Sequence, residues 1–210
     1  FAAGQALGQA AVDGNGSYSF TPGTALADAS YSVTATATDG AGNTSAASSG
    51  VTVLVDTAAP TAPTLSGTSP ANTSTLQLTG TAEANATVNV YDGDTSLVQA
   101  SAGGDGTYTV TVSALSDGSH LLNAKATDAA GNTSLAGAAF TILIDTVTPA
   151  APTITGTSPT NDATPSLSGT AEAGATVTVY DGGISLGQTT AGAGGAYTFV
   201  TATLSEAEHT

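Results

Sequence analysis

The chain repeats itself at a distance of 89 residues, and each repeat is closed by the same proline-bearing seam. Asp56-Thr57-Ala58-Ala59-Pro60-Thr61-Ala62-Pro63 returns as Asp145-Thr146-Val147-Thr148-Pro149-Ala150-Ala151-Pro152. Each seam follows an alternating apolar run, Val51–Val55 in one case and Phe140–Ile144 in the other. With Asp56 set on Asp145, Asp39-Gly40-Ala41-Gly42-Asn43-Thr44-Ser45 falls on Asp128-Ala129-Ala130-Gly131-Asn132-Thr133-Ser134. In the other direction Gly80-Thr81-Ala82-Glu83-Ala84 falls on Gly169–Ala173, and Val90-Tyr91-Asp92-Gly93 on Val179–Gly182. One residue of slip aligns Tyr18 with Tyr108. A fixed internal period has to be recognised before any fold is assigned. It divides the chain into 1–56, the C-terminal part of a repeat, 57–145, a complete repeat, and 146–210, the N-terminal part of a third. The outer two are expected to be cut in mid-sheet.

Within the complete repeat, period-two alternation bounded by Gly, Asn, Asp and Pro marks strands. They are expected near 64–66, over 75–79, 86–91, 96–100 (the weakest), 107–112, 120–127 and 138–144. The residues expected to face inward are Leu76, Leu78, Val88, Val90, Tyr108, Val110, Val112, Leu122, Ala124, Ala126, Phe140, Ile142 and Ile144. No stretch has a helical period. Short strands with turns at this spacing predict an all-β fold of tandem immunoglobulin-like antiparallel sandwiches with Greek-key connections. Proline is confined to joints and strand edges, as its missing N–H requires.

The formal charge is −15, and Lys125 is the one Lys or Arg residue. Phosphate contacts need Lys and Arg, so nucleic acid is excluded as a partner. No apolar run approaches the roughly 20 residues of a membrane helix, and no signal peptide is visible. The absence of cysteine removes disulfides and thiolate metal sites. Sixteen acids with almost no bases serve solubility, or they bind a divalent cation.

Placed on the sandwich, Glu83 in one loop and Asp128 and Asn132 in another share the pole that faces Asp56, the last residue of the preceding repeat. A hard cation such as calcium takes about 6–8 oxygens at roughly 2.3–2.6 Å. Asp56, Glu83, Asp128 and Asn132, with carbonyls and water, could supply them. Asp145 and Glu172 are the counterparts at the next seam. Asp92 and Asp117, with Asp94 and Asp145, lie at the opposite pole as a second candidate group. Asp-x-x-Gly-Asn is also a good turn by itself, Asp92-Gly93 is a hairpin signal, and Glu83 reads equally as a solvated loop acid. Asp105 and Asn15 read as turn residues. Lys125 reads as a solvated outward residue. His120 falls on Tyr31, and the two histidines have no evident partner in sequence position, which argues against catalysis.

Gly-Thr-Ala-Glu-Ala (80–84), Val-Tyr-Asp-Gly (90–93), Ala-Thr-Asp-Ala-Ala-Gly-Asn-Thr-Ser (126–134) and Ile-Asp-Thr-Val-Thr-Pro-Ala-Ala-Pro-Thr (144–153) resemble the bacterial immunoglobulin-like repeats of giant adhesins and biofilm-associated surface proteins. The resemblance covers the whole chain. It implies a calcium-stiffened stalk exported by type I secretion to the cell surface. Its partners are neighbouring repeats, with a host or abiotic surface engaged through regions outside this chain. Two rival readings stand beside that one: a glycan- or surface-binding module using the outward Tyr91 and Tyr180, and spacer repeats of a secreted hydrolase. No enzyme activity is expected within these residues.

Overall fold

A computed structural model describes residues 5–210. They form two compact units, residues 5–146 and Val147–Thr210. The strands are β1 (Ala29–Val33), β2 (Val51–Val55), β3 (Leu76–Thr81), β4 (Thr87–Asp92), β5 (Thr95–Ser101), β6 (Thr107–Val112), β7 (Gly118–Thr127), β8 (Phe140–Ile144), β9 (Ser166–Thr170), β10 (Thr176–Asp181), β11 (Ile184–Thr190) and β12 (Ala196–Val200). Every ladder between them is antiparallel, so the all-β class holds.

The core of the first unit lies between a four-stranded sheet, β5-β4-β7-β8, and the pair β3-β6. Thr and Val alternate along β6, so Tyr108, Val110 and Val112 are buried while Thr107, Thr109 and Thr111 are exposed. Register sets Leu76 against Val112 and Leu78 against Val110 on one inner face. On the facing sheet Val88 pairs with Ala126 and Val90 with Ala124. Leu122 and Ile142 are fully buried, and Phe140 packs half-buried at the margin. Small alanines in β7 admit the larger residues opposite, which is how a repeat of this size closes a core without a disulfide. Residues 5–56 add the hairpin β1-β2 but no buried residue: Tyr18, Val51 and Leu54 are mostly exposed.

The seam segment docks on the edge of β3. Thr64 N–H donates to Thr81 O at 2.8 Å and Ser66 N–H to Thr79 O at 2.9 Å. The chain then crosses sheets at Gly67, and Ala71 makes a parallel bridge to Ile144. An edge that would otherwise offer free N–H and C=O groups is thereby covered. Gly80 permits that docking. A Cβ there would stand 2.1 Å from Thr64 O and 2.6 Å from the Tyr108 hydroxyl.

The second unit repeats these local devices. β9 pairs with β12, and β10 with β11. Val177, Val179, Ala191 and Tyr197 are buried. A Cβ on Gly169 would meet Thr153 O at 1.9 Å, and the Tyr197 hydroxyl donates to that same carbonyl at 2.6 Å.

Candidate functional site

The turn between β7 and β8 is built on one carboxylate. Asp128 Oδ1 accepts the N–H groups of Ala130, Gly131 and Asn132 at 2.8–2.9 Å. Asn132 Nδ2 donates to Asp128 Oδ2 at 2.9 Å, and also to the backbone carbonyl of Asp56 at 3.0 Å. The same turn recurs earlier, where Asn43 Nδ2 donates to Asp39 Oδ2 at 2.8 Å. These bonds favour the ionised acid and hold Asp128 and Asp39 below the usual carboxylate range, the asparagine amide being the largest cause.

The structure thus joins three of the four predicted junction residues: Asp56, Asp128 and Asn132. It does so by hydrogen bonds in which Asp56 contributes its main-chain oxygen. The Asp56 carboxylate turns to its own chain, Oδ1 accepting Ala58 N–H at 3.1 Å. Glu83 stands in the turn after β3 with an exposed side chain, its carbonyl accepting Ala86 N–H. Among the described residues no three His, Asp or Glu side chains converge closely enough to hold a metal ion. Asp128 and Asn132 satisfy one another without a cation, and Asn132 presents N–H rather than oxygen to Asp56.

At the opposite pole the acids also have local occupations. Asp117 Oδ1 accepts the N–H of Thr146 at 3.1 Å and its hydroxyl at 2.8 Å. Asp28 treats Thr57 in the same way, at 3.1 and 2.9 Å. In both seams, therefore, an acid 29 residues upstream clamps the threonine that follows the closing Asp. Asp145 N–H donates to Ala71 O, and in the second unit the carbonyl of Glu172 accepts Ala175 N–H. Asp105 and Asp13 close turns through bonds to Thr107 and to Asn15 N–H, as expected for turn residues.

Asp92 accepts Leu121 N–H on Oδ1 at 3.2 Å and lies 2.7 Å from His120 Nδ1 through Oδ2. The reading that the histidines lack positional partners is corrected here. His120 and His209 are 89 residues apart, as are Asp92 and Asp181, and His209 Nδ1 lies 2.7 Å from Asp181 Oδ2. The sequence already holds the signal, since the period maps one pair onto the other. Lys125 is not merely solvated: its Nζ lies 5.6 Å from the centre of the Tyr91 ring, within reach of a cation–π attraction. Tyr180 is 58% exposed.

The fold and its turns define a tandem array of antiparallel sandwiches whose acids serve turns and seams. Residues 59–142 match the bacterial Ig domain and residues 1–57 the bacterial Ig-like domain. The chain belongs to the bacterial immunoglobulin-like repeats. Chitinase A1 of Niallia circulans is 41% identical over 126 residues, a match that covers 55% of this chain and 18% of that protein. Among solved structures, a biofilm-associated protein BSP domain is similar over 70% of this chain and 25% of its own, at 22% identity and a TM-score of 0.30. A likeness that loose carries no functional argument. The chain spans under a third of the length of each of these two proteins. No helix among the described residues is long and apolar enough to cross a membrane.

Proposed function

We propose that the chain is a non-catalytic stalk segment of a large bacterial cell-surface adhesin, acting in cell adhesion and biofilm formation. Its task in that reading is to hold a binding region at a distance, and its mechanism is mechanical. The observation that carries the proposal is the bonding of the seam. Asp28 and Asp117 clamp the threonines at which the repeats end, and Asn132 takes hold of the carbonyl of Asp56. Side chains that recur with the period and bond to the joint are what a stalk needs and a catalytic site does not.

Calcium bracing at Asp56, Glu83, Asp128 and Asn132 stands as a further part of the proposal. Its support is the charge of −15 and the family resemblance; the hydrogen-bonded turn is its rival. Calorimetric titration with calcium, and thermal melts with and without chelator, decide between them. A ligand bound only by the folded state must raise its melting temperature. No heat and no shift would remove calcium and leave the stalk reading intact.

The stalk itself is tested in the full-length protein. Replacing these repeats with unrelated sandwich domains of equal summed length should preserve surface attachment, and deleting them should impair it. Loss of attachment on equal-length replacement would mean that these residues bind something themselves. The similarity to chitinase A1 favours one alternative, in which the repeats space the parts of a secreted hydrolase. A hydrolase domain elsewhere in the same polypeptide would select that reading.

A further inference from the structure

The first Asp–His pair sits at the margin of the core, and the second is partly exposed. Asp92 shares the inward parity of Val88 and Val90 on β4, and His120 that of Leu122 on β7, so both close the end of the core. Their side chains are 29% and 12% exposed. The His120 ring has acceptors at both nitrogens: Asp92 Oδ2 lies 2.7 Å from Nδ1, and Ser116 O lies 2.9 Å from Nε2. A neutral imidazole has one N–H and can satisfy only one of them, whereas the imidazolium donates to both. His209 is held in the same way, between Asp181 Oδ2 at 2.7 Å and Ser205 O at 2.9 Å.

A comparison inside the chain isolates the titrating part. The period puts Tyr31 at the position of His120, and the Tyr31 hydroxyl donates to Ala27 O at 2.9 Å, the counterpart of Ser116 O. A phenol makes that bond with one proton and needs no acid. Before the one-residue slip at Tyr18 the offset is 90, which sets Asp92 on Ala2, outside the described residues. The carbonyl tether is thus common to the three repeats, and the histidine form brings a carboxylate with it.

We propose that His120 with Asp92, and His209 with Asp181, are pH-sensitive latches that lock the end of the repeat when the histidine is protonated and loosen it when the ring is neutral. Around His120, β4 contributes Asp92, the preceding turn contributes Asp117, whose carboxylate is held by Thr146, and β8 contributes Ile142 as its register partner. Asp94 and Asp145, both exposed, lie in the adjoining turn and just past β8. Around His209 stand Asp181 and, on its own segment, Glu206 and Glu208. The bond to Asp92 is the largest influence raising the affinity of His120 for its proton; at His209 it is the bond to Ser205 O. A raised folded-state pKa gives stability that is complete below the ordinary histidine value and is lost as pH rises through the folded one. Because Asp117 in the turn beside Ser116 grips Thr146, the latch acts on the end of the repeat from which the seam departs.

The test uses the whole chain, which has two histidines and no cysteine. Apart from the terminal amine, only the histidines titrate between about pH 5.5 and 8.5. The melting temperature should fall by several degrees across that interval, and the fall should vanish in the double variant His120→Tyr/His209→Tyr, which installs the residue the first repeat already uses. An equal fall in the double variant overturns the proposal. Imidazole resonances of the native chain give a readout that needs no variant. Midpoints clearly above the unperturbed value of about 6.5 support the latch, and midpoints at or below it refute the latch.

Discussion

Replacing Gly80 by Ala puts the docking of the seam to a quantitative test. The new Cβ would lie 2.1 Å from Thr64 O and 2.6 Å from the Tyr108 hydroxyl oxygen. Neither obstacle is a flexible tip, because one is main chain and the other belongs to a ring buried in the core. Relief to an ordinary carbon–oxygen separation needs the 64–66 segment to withdraw by about 1 Å. Hydrogen bonds now at 2.8 Å, from Thr64 N–H to Thr81 O and from Thr81 N–H to Thr64 Oγ1, would then stretch beyond the bonding range of about 3.2 Å. The Tyr108 hydroxyl would lose Thr64 O as well. Two to three bonds at about 1 kcal/mol each give a loss of roughly 2–3 kcal/mol. At about 4–8 °C per kcal/mol for a core of this size, the melting temperature should drop by roughly 10–20 °C. Gly104→Ala is the control, since nothing lies within 4 Å of its added Cβ, and it should stay within about 0.5 kcal/mol. Urea denaturation of both variants measures the difference. If Gly80→Ala proves as mild as the control, the seam is not held to β3 through this glycine and the argument fails.

Ile142→Ala, at a fully buried site, should cost about 2–5 kcal/mol through lost burial and an unfilled cavity, read by urea denaturation. Burial pushes the Tyr108 phenol up to about 12, so ultraviolet titration should show a phenol, absent from a Tyr108→Phe variant, that ionises well above the ordinary value of about 10. The turn acids Asp39, Asp105 and Asp128 have folded pKa values held below the usual range by bonds to Asn43, Thr107 and Asn132 respectively. Their stabilisation is present above the ordinary carboxylate value and lost as pH falls through the lowered ones; melts in acid should show this, and Asp128→Ala should flatten the slope. Asp117→Ala should speed hydrogen exchange at the Thr146 amide, measured by NMR, while amides within β6 keep their protection.

The strands were legible because a two-residue period is a direct readout of a two-faced sheet. β6 spans the expected residues, and all the inward-read residues of the complete repeat are buried except Phe140, which is half-buried. Other features required coordinates. Nothing in Gly-Thr-Ala-Glu-Ala announces that its glycine lies beneath the carbonyl of a segment 16 residues upstream. Asp117 reads as a member of a candidate metal group until the chain brings Thr146 to it. The position of Asn132 beside Asp56 could be argued from topology, but which atoms meet could not, because sequence does not say where an amide or a carboxylate points. The Asp–His pair was legible in principle, since the same period that exposed the seam also superposes His209 on His120.

The acids of this chain act as acceptors more than as charges. With one Lys as its whole Lys and Arg content, the chain has almost no ion-pair partners to offer, so a carboxylate in a fixed position must take backbone N–H groups, hydroxyls or imidazoles. It does so at three corners of the complete repeat: N–H groups at Asp128, a threonine at Asp117, a histidine at Asp92. Bonds of this kind are local and repeat with the chain, so they can be copied from repeat to repeat without reshaping the core. They also differ in what disturbs them. The Asn132 bond to Asp56 is insensitive to pH near neutrality, the histidine bonds are not, and a calcium ion would have to compete with amide donors already in place. Repeats whose corners are set this way can differ in their response to pH through a histidine and its carboxylate, as the Tyr31 and His120 positions do.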